Sequence, residues 1–380
     1  MKRILIFSLA YYPHVGGAEV AIKEITDRIR DVEFHLVTLN FGDELAEERV
    51  GNVIVHRLGS SASYLSKILF IPRAARAARD LNTTLHFDMF WAMMSYMAWP
   101  IVLARLFHSV RAPYLLTLQD GDPFEHVFNR WFILPFYPLL AYGFRKATRI
   151  SAISTYLGGW VRRMGYAGNV AIVPNGADLT QFVATTSQEI KTAEHIHLIT
   201  SSRLVPKNAL DDVIRALVML PENVRFIIYG DGPEEEKLRS LSRSLNVGER
   251  VEFKGYVPHS ELAESYADAH MFVRPSRTEG MGASFVEAMA AGLPIIATQE
   301  GGIADFLFDE TRNPETATTG WAVDVNSPEQ IALAVKDIMT NPEKVEIVRA
   351  NALSMVREKY DWNLIAKHMK TLFDQVAQSQ

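Results

Sequence analysis

The 380-residue sequence has no cysteine. That excludes disulfides, thiolate metal sites and thiol nucleophiles, and it fits a reducing, cytoplasmic setting. Long hydrophobic runs are missing as well. A membrane-spanning helix needs roughly 20 apolar residues. The two nearest approaches, 89–104 and 131–144, are interrupted by Pro100 and by Pro135 and Pro138. A secretory leader is not expected. The opening Met1-Lys2-Arg3-Ile4-Leu5-Ile6-Phe7 runs into Tyr11-Tyr12-Pro13-His14 with no small-residue cleavage site, so it reads as a first buried strand. There is no low-complexity tract and no short-period repeat. With 48% apolar and 22% charged residues, disorder, a coiled coil and a collagen-like rod are excluded too.

What is present is a charge asymmetry under a net charge of −5. Residues 1–180 carry 19 basic and 15 acidic side chains, whereas the remainder carries 20 and 29. The excess is greatest over 51–165, with 13 basic against 5 acidic residues. A basic half joined to an acidic half suggests that one half meets an anionic surface.

The order strand, glycine-rich turn, helix occurs twice. Residues 3–8 read as a strand, Gly16-Gly17 as a turn and 18–29 as a helix, with further strands over 32–39, 52–58, 114–118, 150–153 and 170–173. The pattern restarts with a strand over 195–201 and a helix over 210–220. Strands over 224–229, 251–254, 271–274 and 294–297 then alternate with helices over 234–245, 260–269 and 283–291. Ser260, Ser327 and Asn341 read as N-caps. Such alternation means parallel sheets wrapped by helices, and the restart means two domains, joined by the polar stretch 180–194.

Open parallel sheets take ligands beyond the carboxyl ends of their strands, and four loops there hold the candidate chemistry. Gly16 and Gly17 let backbone approach a ligand at a helix N-terminus, with Glu19 in the first helical turn as a dipole partner. Arg203 and Lys207 follow the first strand of the second half, where two cations suit a diphosphate; the bland alternative is a solvated loop. Glu279-Gly280-Met281-Gly282, followed by Ala283, opens a helix whose N–H groups can hold phosphate oxygens. Glu287, about two turns along that apolar helix, needs a partner and can accept two hydroxyl hydrogen bonds. Gln119-Asp120-Gly121-Asp122 reads either as a hard-oxygen metal site or as an ordinary turn.

Together these pieces resemble the nucleotide-sugar glycosyltransferases of family 4, also called glycosyl transferases group 1. The resemblance rests on Tyr12-Pro13-His14-Val15-Gly16-Gly17-Ala18-Glu19, Pro174-Asn175-Gly176-Ala177-Asp178, Ser202-Arg203-Leu204-Val205-Pro206-Lys207-Asn208, Gly230-Asp231-Gly232-Pro233, and Pro275 through Gly282 continuing to Glu287-Ala288-Met289-Ala290. It implies an α/β GT-B fold, two Rossmann-like domains with parallel sheets facing an interdomain cleft. The expected domains are 1–180 for the acceptor, with a C-terminal helix over 361–380 packed back on it, and 195–360 for the donor. It implies a retaining transfer with no metal and no cofactor beyond the nucleotide-diphosphate sugar. Arg203 and Lys207 would hold the diphosphate with help from Gly280–Ala283. Glu279 would contact the sugar, Glu287 the ribose, and Gly17 the phosphates or sugar. Asn175 joins the donor set, and Asp120 is a candidate for acceptor or sugar contact. One departure stands out: where the family usually has a histidine before the aspartate, this chain has Gln119, which cannot titrate. His126 lies nearby in sequence.

On the acceptor side, 64–81 and 128–146 combine basic residues (Lys67, Arg73, Arg76, Arg79, Arg130, Arg145, Lys146) with Leu65, Ile68, Leu69, Trp131 and Phe136. That mixture describes an interfacial patch for an anionic membrane, hence a peripheral enzyme with a lipid-linked or membrane-bound acceptor; the alternative is a packed helix pair with a basic edge. The rival functions are a same-fold epimerase or hydrolase, a non-catalytic nucleotide-sugar-binding subunit, a metal-dependent transferase using Asp120 and Asp122, and a nucleic-acid binder, which would leave the phosphate loops without a purpose.

Overall fold

Short apolar runs that end in glycine or polar loops become parallel strands buried on both faces by helices. The computed structural model describes residues 1–182 and 194–379, with Ser260 described by its backbone alone. Most of the expected linker, 183–193, and the expected cap by the Ser260 side chain lie outside the described residues. The chain divides into two units, 1–175 with 362–380 and 176–361. The exit segment 176–180, expected with the first domain, therefore groups with the second: the Ala177 N–H bonds the Tyr360 carbonyl.

In the first unit the elements run β1 (Lys2–Phe7), α1 (Gly17–Arg28), β2 (Val32–Leu39), β3 (Glu47–Val50), β4 (Val53–Leu58), α2 (Tyr64–Leu85), β5 (Met89–Met93), α3 (Ala98–His108), β6 (Tyr114–Leu118), α4 (Phe124–Phe128), α5 (Tyr137–Lys146), β7 (Arg149–Ala152), α6 (Thr155–Arg163) and β8 (Val170–Ile172). The sheet order is β3-β4-β2-β1-β5-β6-β7-β8. Only β3, at the edge, pairs antiparallel among the described strands. Strand β5 is fully buried; no strand was expected there, because its apolar run continues into the apolar helix α3 without a change of period.

The second unit runs β9 (Ile196–Ser201), α7 (Leu210–Leu217), β10 (Val224–Tyr229), α8 (Glu235–Ser244), β11 (Val251–Gly255), α9 (Leu262–Ala267), β12 (Met271–Arg274), α10 (Ala283–Ala290), β13 (Ile295–Ala297), β14 (Trp321–Ala322), α11 (Pro328–Thr340) and α12 (Pro342–Lys359). Its sheet order is β11-β10-β9-β12-β13-β14. Ser327 and Asn341 occupy the N-cap positions of α11 and α12, but neither side chain caps its helix; the Asn341 amide instead donates to Asp337. The chain then returns to the first unit as α13 (Trp362–Ala377). There Phe373 packs edge-on to Trp91 with ring centroids 5.0 Å apart, and to Phe34 at 6.1 Å. Ile365, Met369 and Val376 join the same core.

Each sheet has one place where the strand order reverses. In the first unit it lies between β1 and β5, and in the second between β9 and β12. Connections diverge there and leave a crevice at the carboxyl ends of the two strands. The loops after β9 and β12 contain Arg203, Lys207 and Glu279–Gly282. The loops after β1 and β5 contain Gly16-Gly17 and Ser95.

Candidate functional site

In the second unit, backbone geometry holds the loop after β9 from two sides. The Ser202 N–H bonds the Tyr229 carbonyl, and the Leu204 N–H bonds the Asp231 carbonyl at 2.8 Å. This approach needs Gly232, whose φ is +158°: a Cβ there would stand 2.4 Å from the Leu204 carbonyl oxygen. The Asn208 amide closes the loop by donating to the Arg203 carbonyl at 2.7 Å. Arg203 is exposed at the tip, with no side-chain partner among the described residues, and Lys207 is half-buried.

Arg277 fastens this loop to the one after β12. Its backbone N–H bonds the Lys207 carbonyl at 2.7 Å, and its guanidinium reaches the Pro206 carbonyl at 2.6 Å. The same guanidinium pairs with Asp211 at 3.1 Å and Asp212 at 3.0 Å. Burial lowers the Arg277 pKa, but the two aspartates more than offset this and hold the charge. Arg277 offsets one of the two carboxylate charges beside the loop, and Arg203 and Lys207 are the further cations on it.

Beyond β12, Arg274 is buried, and burial lowers its pKa. Nη1 donates to the Ser201 carbonyl at 3.1 Å and to Ser284 Oγ at 2.8 Å, while Nη2 meets Glu279 Oε2 at 3.3 Å. The other Glu279 oxygen accepts the Gly280 N–H at 2.9 Å. Glu279 is thus folded back on its own loop and anchored by a buried cation. Helix α10 starts after Gly282, which has φ +83°. A Cβ there would lie 2.6 Å from the Phe285 ring and 2.7 Å from the Arg274 guanidinium. Gly282 and Ala283 are half-buried; Gly280 and Met281 are buried. Met281 as a whole is 1% exposed.

Glu287 has a 7% exposed side chain and pairs with His259 Nε2 at 2.8 Å. Ser201, the last residue of β9, joins these groups: its carbonyl takes Arg274 and its hydroxyl bonds the buried Tyr266 hydroxyl at 2.6 Å. Burial, with Glu287 nearby, pushes the Tyr266 pKa far up.

At the crevice of the first unit the pairing is of a different kind. Gln119 and Asn175 exchange two amide hydrogen bonds, at 3.0 and 2.9 Å. The buried Asp120 accepts from the Ser95 hydroxyl at 2.7 Å and from its N–H at 3.3 Å, and burial raises its pKa. Met94, which precedes Ser95, has φ +73°, a strained conformation of the kind that gathers at functional sites. Gly16 and Gly17 are exposed at the start of α1, and a Cβ on Gly17 would meet nothing within 4 Å. Glu19 is buried and turns back to the Gly16 N–H at 2.8 Å, so its role is in the helix cap. His126 is exposed, hydrogen-bonded to Arg130 and 4.0 Å from Asp122. Among the described residues no cluster of three or more His, Asp or Glu is arranged to hold a metal ion.

The structure places the second-unit candidates Arg203, Lys207 and Glu279–Gly282 on the loops after β9 and β12, with Ala283 and Glu287 on the helix α10 that follows. It adds Arg274, Arg277, Tyr266 and His259, which that reading left without roles. Arg274 and Arg277 flank the recognised Pro275-Ser276 segment, and a charge at the end of a buried strand was the available signal. His259 is 28 positions from its partner and gave none.

The N-terminal half, residues 15–181, matches the model of Glycosyltransferase Family 4, and residues 185–355 match that of Glycosyl transferases group 1. A GDP-mannose-dependent α-(1-6)-phosphatidylinositol monomannoside mannosyltransferase of Mycobacterium tuberculosis is 30% identical over 221 residues, 53% of this chain and 55% of that protein. Among solved structures, sucrose-phosphate synthase from Thermosynechococcus elongatus superposes with a TM-score of 0.85 over the whole of both chains at 18% identity. Anabaena HepE, solved with UDP and glucose, does so with a TM-score of 0.79 at 20% identity, over 98% of this chain and 100% of that one. The two family models meet end to end across residues 15–355, and the chain belongs to the GT-B glycosyltransferases of family 4, group 1.

Proposed function

We propose that the enzyme transfers a sugar from a nucleotide-diphosphate donor, bound by the second unit, to a lipid-linked or membrane-bound acceptor, with retention of anomeric configuration and without a metal. The observation that carries the donor assignment is the pair of cations, Arg203 and Lys207, on a loop locked to the start of α10 at the strand-order reversal. As the bond from the sugar anomeric carbon to the phosphate oxygen breaks, charge develops on the departing diphosphate. The two cations carried by this anchored loop and the first N–H groups of α10 stabilise that charge most when it is greatest, and they supply the positive charge a metal would otherwise bring. The acceptor oxygen bonds the anomeric carbon on the face the diphosphate leaves, and its proton passes to the departing phosphate oxygen. The lone pairs that Arg274 and the Gly280 N–H leave on Glu279 accept from the sugar, and Glu287 accepts from the ribose hydroxyls. Two relatives support this reading: HepE was solved with UDP and glucose, and the mycobacterial relative is named for its dependence on GDP-mannose.

The acceptor assignment rests on the surface of the first unit. Tyr64, Leu65, Ile68 and Leu69 of α2 are exposed, as are Trp131, Leu134 and Phe136. The Tyr64 ring meets the Phe132 ring edge-on at 6.2 Å, so the two segments form one patch. Trp131 is 82% exposed. The packed-helix-pair alternative would bury these side chains; a patch of this kind marks an interaction surface, and of the basic residues in the two segments Lys67, Arg73, Arg76, Arg145 and Lys146 are exposed. The mycobacterial relative's acceptor, by its name, is a phosphatidylinositol mannoside.

The test is transfer from UDP-glucose, GDP-mannose and related donors to lipid acceptors in phosphatidylglycerol vesicles. The proposal expects an axial-to-axial product by proton coupling, activity unchanged by EDTA, and vesicle co-sedimentation at low salt that weakens in Trp131→Ala. Inversion, loss with EDTA, or no vesicle binding would each strike out the corresponding part.

A further inference from the structure

An ionised carboxylate on an apolar helix costs several kcal/mol to bury unless it is paired. Glu287 lies on α10 between the buried Val286 and Ala288, two residues before the buried Met289. Arg274, the nearby buried cation, is already committed to Ser201, Ser284 and Glu279. The partner that the structure gives Glu287 is His259, 2.8 Å from Nε2 to Oε1. The contact is layered: the Glu287 side chain is 7% exposed and that of His259 36%, so the imidazole lies on the solvent side of the carboxylate.

His259 is itself held. Its carbonyl accepts from the Gln181 amide at 3.1 Å, and its ring lies edge-on to Phe182 with centroids 5.7 Å apart. Phe182 also packs against Tyr266, whose hydroxyl is bonded to Ser201. Three stretches of the second unit, 181–182, 259–266 and α10, thereby fix one imidazole against one carboxylate. With a proton on Nε2, the histidine donates to Oε1 and leaves the other carboxylate oxygen to accept from a ligand hydroxyl.

We propose that His259 is the positioning residue of the nucleotide site: it fixes the rotamer of Glu287 so that the carboxylate is presented to the ribose hydroxyls before the donor binds. This rests on the reading of Glu287 as the ribose acceptor. Preorganisation of this kind adds affinity only for ligands that carry the hydroxyls. The signature is therefore discrimination between sugars of the nucleotide, which a purely structural histidine does not provide.

The experiment is calorimetric binding of UDP, GDP and ADP, and then of the 2′,3′-dideoxy form of the tightest, to wild type, His259→Phe, His259→Gln and Glu287→Ala. Wild type is expected to prefer the ribose form by about tenfold or more, the worth of one to two hydrogen bonds to a charged group. His259→Phe keeps a ring but has no donor, and is expected to lose most of that preference, with binding of the dideoxy form changed less than about twofold. His259→Gln, which keeps an N–H donor, is expected to recover most of it. Equal weakening of both ligands by His259→Phe, or no change in either, overturns the proposal. If Glu287→Ala abolishes the ribose preference while His259→Phe and His259→Gln both retain it, the histidine assignment alone fails. If Glu287→Ala leaves ribose binding intact, the reading of Glu287 fails, and the proposal with it.

Discussion

The two units present opposite chemistry at equivalent places in similar sheets. At the strand-order reversal of the second unit stand Arg203 and Lys207, with two further arginines holding the scaffold. At that of the first stand two glycines, a glutamine–asparagine pair and an aspartate bonded to a serine. Each sheet leaves a crevice of the same kind, so the fold alone does not decide what binds. The difference lies in the residues on the loops: those of the second unit carry cations, and those of the first carry amides, glycines and a buried aspartate. The excess of acidic residues in the second half does not contradict this. Arg277 takes up one of the two negative charges of Asp211 and Asp212, and Arg203 with Lys207 outweighs the other.

The sharpest way to break the comparison is to truncate one polar side chain on each side. Arg203→Ala is expected to lower kcat/KM by about 10²–10³-fold, the scale seen when one stabilising group is lost from a developing charge, whereas Gln119→Ala should cost about tenfold or less, the worth of a neutral hydrogen bond. Steady-state kinetics on both variants decides; equal losses would erase the distinction. Next in size, Gly282→Val is expected to destabilise the second unit by about 3 kcal/mol, because it combines a disfavoured φ with a clash against Phe285 and Arg274. Thermal unfolding should show the lower-melting transition in the second unit, with the first unchanged.

A smaller effect separates the units by pH. His270 is buried and its pKa is lowered to about 4 by burial, with His197 adding repulsion. The folded unit keeps this ring neutral, while in the unfolded chain it binds a proton near pH 6.5. Stability that is present above pH 6.5 is therefore lost as pH falls towards 4, by roughly 2–3 kcal/mol. Denaturant titrations at pH 7 and pH 4.5 should show that loss in wild type and much less of it in His270→Asn.

Much of this was legible in the sequence, for identifiable reasons. Strands such as β2, β6, β10 and β12 are short apolar runs ended by polar or glycine-rich loops, and their limits follow from composition. The cation loop and the two-glutamate helix could be placed because both follow such strands. β5 was hidden because a strand and a helix that are both buried share one unbroken apolar run from Met89 to Ala104, with no polar face to reveal the period. The positions of Arg274 and Arg277 could be read but their partners could not, since an arginine's role depends on which carbonyls and carboxylates the fold brings to it. Gln119 is a case of a different kind: the missing histidine was visible, but its pairing with Asn175 is a contact across 56 positions.

The most direct test of the central claim, that the second unit is the donor site, is a thermal-shift scan against UDP, GDP, ADP and their sugar conjugates without added metal. A ligand that binds the native state raises the melting temperature by mass action. The account requires a clear shift with one nucleotide that disappears in both Arg203→Ala and Glu287→Ala and persists in Gln119→Ala. A shift that survives the first two substitutions, or that depends on Gln119 instead, would contradict it.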